Sequence, residues 1–306
     1  MQDKSANVVS PVNGSKNIKL IENISTEEIR QRWISEFSID IKSEFCSVKY
    51  FSLYLCEKSA LKFYCPHDIA GSSLLYEQLS QFDWYYMRDK WEFKQAEKDL
   101  IGLSRVSEIG CARGDFLQAL IKKGFDVVGF EFNKKAAKAA IDKGIVVYSE
   151  NLGDEDPCLN GSFDAVCSFQ VLEHVAEPMV FLRNCLALLK PGGKLIITVP
   201  NGKITDTTLT NSLLDLPPHH MTRWYSQTFQ LLEDYLPIQL CRITKEPLAA
   251  YHVNWFLQSL RRKIPERFGV RFIFKISLEN ILRIILLLGW RKFVTGHTLY
   301  ICYKKL

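Results

Sequence analysis

Through the middle of the chain, short apolar runs alternate with longer stretches whose apolar residues recur at helical spacing. VSEI (106–109), DVVGF (126–130), IVVY (145–148), DAVCSF (164–169) and KLIITV (194–199) read as buried strands. FLQALIKK (116–123), KKAAKAAIDK (134–143) and MVFLRNCLALLK (179–190) read as the helices between them. Strand–helix alternation of this kind predicts βαβ units, right-handed crossovers and a largely parallel sheet. Pro191, Gly192 and Gly193 punctuate the last helix and turn the chain into the next strand. In such sheets a ligand sits outside the carboxyl ends of the strands, near the point where strand order reverses.

The flanks follow other rhythms. Residues 1–17 are rich in Ser, Asn and Lys and are expected to be disordered. Residues 28–37 predict a short helix, and 50–64 carry strand-like aromatic runs such as YFSLYL. Residues 72–99 predict a helical stretch dense in rings, LLYEQLSQFDWYYMRDKWEF, which must cover something because each ring can bury about 150–250 Å². Beyond the core, 239–244 and 298–303 predict a sixth and a last strand. The insert between them ends in SLENILRIILLLGWRK (277–292), an apolar helix bounded by basic residues. It is too short to span a bilayer but suits a pocket cover, a homodimer interface or a membrane-surface helix, with cover or dimer favoured. The chain therefore divides into an N-terminal extension and lid (1–97), a core (98–247), and a basic helical insert with the final core strand (248–306).

Composition narrows the class. A chain of 306 residues with 47% hydrophobic and 24% charged residues is ordinary for a globular protein. No apolar run is long enough for a membrane span, and the polar N-terminus lacks the core of a signal peptide, so a cytoplasmic location is expected. Nine cysteines occur singly, with no C-x-x-C pair, as expected of free thiols in a reducing compartment. The net charge of +5 is uneven, since residues 241–306 hold 13 basic and 3 acidic side chains. We read this as a solvated basic face rather than a nucleic-acid surface, for no RNA-binding module accompanies it.

The first core strand runs into EIGCARG (108–114). Gly110 allows a tight turn and close approach of backbone to a ligand, and Gly114 opens a helix whose amides can face it. Glu131 ends the second strand, where an acid can accept both hydroxyls of a ribose. These elements alone also fit a dinucleotide site. Together, EIGCARG, FDAVCSFQVLEHV (163–175) and LLKPGGKLIITVPN (188–201), in this order, resemble class I, Rossmann-like S-adenosylmethionine-dependent methyltransferases of the small-molecule or glycan type. Ala112 departs from the glycine usual there and is expected to be tolerated. The resemblance implies a seven-stranded, mostly parallel sheet with helices on both faces and S-adenosylmethionine as cofactor. Residues Glu108, Gly110, Cys111, Ala112 and Gly114 would hold its amino-acid end and Glu131 its ribose. Phe132 would lie beside the adenine, Asn151 or Leu152 near the adenine edge, and Phe169 and Gln170 below the methyl group.

YLCEKSALKFYCP (54–66) resembles a degenerate zinc ribbon, with Ser59 where a partner of Cys56 would stand, so no bound metal is expected. For catalysis, LPPHHMTRW (216–224) places His219 and His220 after two stiff prolines at the edge where an acceptor belongs, and His174 in LEHV is a further candidate base. The resulting expectation is O-methylation of a small molecule or sugar intermediate. A lipid-linked or quinone-like acceptor is the alternative, and a non-catalytic binding protein is disfavoured by the intact acids and glycines.

Overall fold

The computed structural model describes residues 8–149, 152–153, 157–208, 212–263 and 279–306. Its centre is a seven-stranded sheet in the order β10-β11-β8-β7-β4-β5-β6. The strands are β4 (Arg105–Ile109), β5 (Asp126–Phe130), β6 (Val146–Tyr148), β7 (Phe163–Phe169), β8 (Leu189–Pro200), β10 (Ile238–Pro247) and β11 (Thr295–Lys305). The five strands from β8 to β6 are parallel, and β10 and β11 are antiparallel to their neighbours. All five core strands read from the sequence are present, and so are the helices between them, Asp115–Ile121, Lys134–Ile141 and Pro178–Leu188. Asn133 caps the second of these by accepting from the amides of Lys135 and Ala136, and Pro178 starts the third.

Alternation along the strands splits the core into two layers, because successive side chains point to opposite faces. Val166, Leu195, Ile197, Leu299, Ile301 and Tyr303 pack on one side, and Ala165, Cys167, Ile196, Tyr300 and Cys302 on the other. The inner parallel strands, β4, β5, β7 and β8, are buried on both faces, which is why they read as continuous apolar runs rather than as alternating ones, whereas β6 at the edge has no buried residue.

A second, antiparallel sheet has the order β1-β2-β3-β9, from Ile18–Ser25, Tyr50–Cys56, Lys62–Cys65 and Thr222–Arg223. The residues 54–66 thus form a hairpin, with Cys56 buried. β9 comes from the far side of β8 in the chain, so this sheet is built from two distant parts of the sequence. Two expectations fail here. Residues 8–17 are ordered, with Ser10 and Val12 buried, because Val12 packs into the main core beside Phe63. Residues 72–99 are not one helix. Ser73–Leu79 and Trp91–Asp99 are helical, and Trp84, Tyr85 and Tyr86 lie in the turns between them. The N-terminal sheet, these turns and residues 213–221 share a third core around Trp33, Phe51, Tyr64 and Leu213.

Beyond β10, Val253–Lys263 packs on Glu279–Leu287 through Leu257, Leu260, Leu282 and Leu286. No helix among the described residues is long and apolar enough to cross a membrane.

Candidate functional site

β4 has β5 on one side and β7 on the other, so strand order reverses at its carboxyl end. A cavity of about 700 Å³ opens there. The strand ends supply Gly110 and Ala112 after β4, Glu131 and Phe132 after β5, Phe169 and Gln170 after β7, and Pro200 at the end of β8. Because β11 runs antiparallel, its beginning lies at the same edge and adds His297 and Thr298.

The turn after β4 is held by two devices. The amides of Gly110 and Cys111 both donate to the Phe130 carbonyl at 2.8 and 3.0 Å. Glu131 accepts from the amide of Ala112 at 2.8 Å on one oxygen and from that of Asn133 at 2.7 Å on the other. Gly110, Ala112 and Gly114 have φ of 74°, 47° and 71°, so the only non-glycine of the three is the strained one. A Cβ on Gly110 would stand 2.5 Å from a methyl of Val171, and on Gly114 2.4 Å from Ile145. Both positions therefore demand glycine.

Glu108 is 3% exposed, and its Oε2 has no hydrogen-bond partner among the described residues. Burial pushes its carboxyl up to about 8. It lines a small recess of the cavity with Gly110, Cys111, Arg113 and Asp115. A buried, unpartnered acid suits a ligand's ammonium group. Glu131 is also raised, by burial, against the downward pull of the Asn133, Ala112 and Phe132 backbone donors.

The aromatic turn closes this side. Trp84, Tyr85, Tyr86 and Met87 line the cavity, and the Arg113 guanidinium lies 5.4 Å over the Tyr86 ring while donating to the Ser80 carbonyl at 3.1 Å. The turn is thereby fastened to the glycine loop.

The opposite side holds the histidines. Residues 217–221 are clamped between the two sheets: the Gly71 amide donates to the Pro218 carbonyl, the Tyr64 amide to that of Met221, and the Met221 amide to that of Glu173. His219 and His220 are 5% and 7% exposed, and with His174 they border the cavity. Nδ1 of His219 donates to the Leu214 carbonyl at 2.8 Å, and the Tyr85 hydroxyl donates to its Nε2 at 3.0 Å. Nδ1 of His174 donates to the His219 carbonyl at 2.5 Å. Nδ1 of His220 lies 3.3 Å from the Asp215 carboxylate. Burial lowers all three imidazoles, His174 to about 4, and raises Asp215. Desolvation dominates on both sides of the His220–Asp215 contact, lowering the imidazole and raising the acid.

Of the residues singled out from the sequence, Gly110, Ala112, Glu131, Phe132, Phe169, Gln170, His174, His219 and His220 meet around the main cavity, and Glu108 and Cys111 around its recess. Gly114 lines neither, and serves as the left-handed turn that opens the helix. Leu152 also lines neither: its side chain packs on the main core and its carbonyl accepts from Asn184. Asn151 lies outside the described residues. Asp215, Glu173, Tyr76, His252, Trp255 and His297 were missed. Only Asp215 carried a signal, an acid just upstream of paired histidines.

Residues 81–233 match a family described as "Methyltransferase domain". A ubiquinone biosynthesis O-methyltransferase of Xanthomonas euvesicatoria is 33% identical over 119 residues, covering 36% of this chain and 48% of that protein. One from Xanthomonas oryzae is 34% identical over 119 residues, with the same coverage. The chain thus spans about half the length of the curated relatives it matches. Among solved structures, a SAM-dependent methyltransferase of Archaeoglobus fulgidus is 19% identical, covers 77% of this chain and 95% of its own, and superposes with a TM-score of 0.47.

Proposed function

The chain belongs to the methyltransferase-domain family, and from that premise we propose that it transfers the methyl group of S-adenosylmethionine to a hydroxyl of a small-molecule or glycan acceptor. One observation carries the reading. A single cavity of about 700 Å³ at the switch point is bordered by the glycine turn and Glu131 and also by aromatic rings and three histidines, and so has room for a donor and an acceptor side by side.

In this reading Glu108 receives the ammonium of the cofactor's amino-acid end. The amides of the glycine turn face its carboxylate, and Glu131, still with free lone pairs, takes the ribose hydroxyls. Phe132, half exposed at the mouth, covers the adenine. Tyr86 and its neighbours exclude water from the sulfonium and face it with ring π-electrons. Methyl transfer is a displacement at carbon: the acceptor oxygen bonds to the methyl as the carbon–sulfur bond breaks, and the sulfur leaves as a neutral thioether. Most of the rate then comes from holding oxygen, carbon and sulfur in line. The hydroxyl proton is lost at the His174, His219 and His220 cluster.

A second reading, a quinone-like or lipid-linked acceptor, is supported by the aromatic wall of Tyr76, Trp84, Tyr251 and Trp255. It is also supported by the exposed apolar run of Ile281, Ile284, Leu288 and Phe293 beside Arg283, Arg291 and Lys292. That run suits a bilayer surface or a second copy of the chain. We assign the reaction to the cytoplasm, in keeping with nine cysteines that occur singly along the sequence. The division at 97 and 247, and descent of the β2–β3 hairpin from a zinc ribbon, belong to the same proposal.

The test is calorimetry with S-adenosylmethionine, followed by labelled methyl transfer to panels of phenols, quinols and sugar nucleotides. Micromolar binding with transfer to any hydroxyl supports the reading. A folded chain that does not bind the cofactor overturns it.

A further inference from the structure

The three imidazoles beside the cavity are arranged in a way that packing alone does not require. Two commit Nδ1 to a carbonyl, that of His219 for His174 and that of Leu214 for His219, and Nδ1 of His220 lies 3.3 Å from the Asp215 carboxylate. The Gln170 carbonyl lies against the His174 ring as well. Carbonyls only accept, so in His219 the proton is on Nδ1 and the lone pair is on Nε2. The rings stand 4.5, 4.6 and 4.8 Å apart between centroids. One ligating nitrogen from each lies within 4.8 Å of the other two. Three imidazole nitrogens are thus gathered in a buried space beside the Tyr85 hydroxyl. Lone pairs that face one another without donors repel, and a cation between them removes the repulsion. The Glu173 carboxyl, 1% exposed with Oε2 unpartnered among the described residues, borders the same space and can balance the charge.

We propose that His174, His219 and His220 form a binding site for one divalent ion of the nitrogen-preferring class, such as zinc or cobalt. Three nitrogen ligands suit these ions rather than magnesium or calcium, which take oxygen shells. Three protein ligands also leave a coordination position open for an oxygen of the acceptor. The Nδ1 partners are what a metal-binding imidazole needs, since they fix its tautomer and its direction. A tetrahedral ion with bonds of about 2.1 Å sets its nitrogens about 3.4 Å apart. From 4.8 Å, the nitrogens therefore close by up to about 1.4 Å on loading. The expectation of a metal-free chain came from the cysteines of residues 54–66, whereas these ligands come from LEHV and LPPHH. The ion's use in methyl transfer rests on the function proposed above, but its binding does not.

The experiment uses the full chain, stripped with a chelator, checked for retained melting temperature, and titrated with cobalt(II), zinc(II) or magnesium(II) alone. About one cobalt per chain is expected, with the visible absorption bands of a low-symmetry nitrogen site, displaced by zinc and indifferent to magnesium. His174→Ala and His220→Ala should each abolish the bands, and Cys56→Ser should leave them. Asp215→Asn keeps all three ligands and should weaken affinity about 10–100-fold. A stripped, folded chain that takes up neither cobalt nor zinc overturns the proposal. So does uptake that survives loss of His174 and His220. Cofactor affinity is measured on the same samples. Metal without cofactor binding sinks only the methyltransferase reading, and cofactor without metal binding sinks only the metal site.

Discussion

Replacing Glu131 by alanine tests how the cofactor end of the cavity is built. The carboxylate holds the Ala112 and Asn133 amides at 2.8 and 2.7 Å. A hydrogen bond to a charged group contributes about 1.5–3 kcal/mol, so the pair is worth about 3–6 kcal/mol gross. Two effects reduce that figure. Burial already penalises the carboxylate, as its raised pKa records. The Ala112 amide also borders the cavity, where water can replace the lost acceptor. A net loss of about 1–3 kcal/mol in unfolding free energy remains, read by urea denaturation. Cofactor binding should fall by a further 1–3 kcal/mol or so, about 5- to 150-fold in Kd, as two ribose hydroxyls lose a charged acceptor. Calorimetry with the demethylated cofactor measures this directly. Glu131→Gln should fall between the two, since an amide keeps one acceptor oxygen and turns a donor toward the other amide. Unchanged affinity in a folded Glu131→Ala protein would remove this residue from the ribose site. Unchanged stability would show that the β4 turn does not depend on it.

Three further outcomes follow from the same geometry. The His219→Ala, His220→Ala double variant should bind cofactor normally and turn over about 10²–10⁴-fold more slowly, with a melting curve recorded alongside; near-normal turnover would leave positioning as the main source of rate. Glu108 holds its proton up to about pH 8 in the empty protein, well above the ordinary carboxylate range, so its burial costs increasing stability as pH rises through that window. Cofactor affinity should therefore rise from pH 6 to pH 8 with proton release visible as a buffer-dependent binding enthalpy, and Glu108→Gln should abolish the release and be more stable than the parent above pH 8. Gly114→Ala should destabilise by about 2–4 kcal/mol, combining left-handed strain with the clash against Ile145. Ala112→Gly at φ 47° should instead be neutral or stabilise by up to about 1 kcal/mol, and a clear destabilisation would refute the strain argument.

The inner parallel strands were legible because burial on both faces leaves an unbroken apolar run, and the β4 turn because its two glycines are dictated by positive φ and by neighbours within 2.5 Å. β1 escaped because it is an edge strand with most of IKLIENIS exposed, so the sequence shows no apolar face. β9 is two residues long and has no periodicity to read. The aromatic residues 84–86 were expected on a helix, yet their rings pack on one another and on Phe82 in successive turns, a tertiary preference that spacing does not reveal. His297 could not have been placed, since it enters the site only because β11 runs against β8 and pairs Thr298 with Pro200. His174 and the LPPHH histidines were visible one by one. Their convergence was not, for it depends on the Met221 amide reaching across to the Glu173 carbonyl.

The pairing of β9 with β3 separates control of the two halves of the cavity. The glycine turn and Glu131 hang from the ends of strands in the large sheet, whereas the histidine loop is sutured to a hairpin that belongs to another part of the chain. Lengthening or reshaping that hairpin would tilt the acceptor side while the donor side keeps its contacts. Such a molecule can change what it modifies through mutations far from either ligand, in a sheet that touches neither.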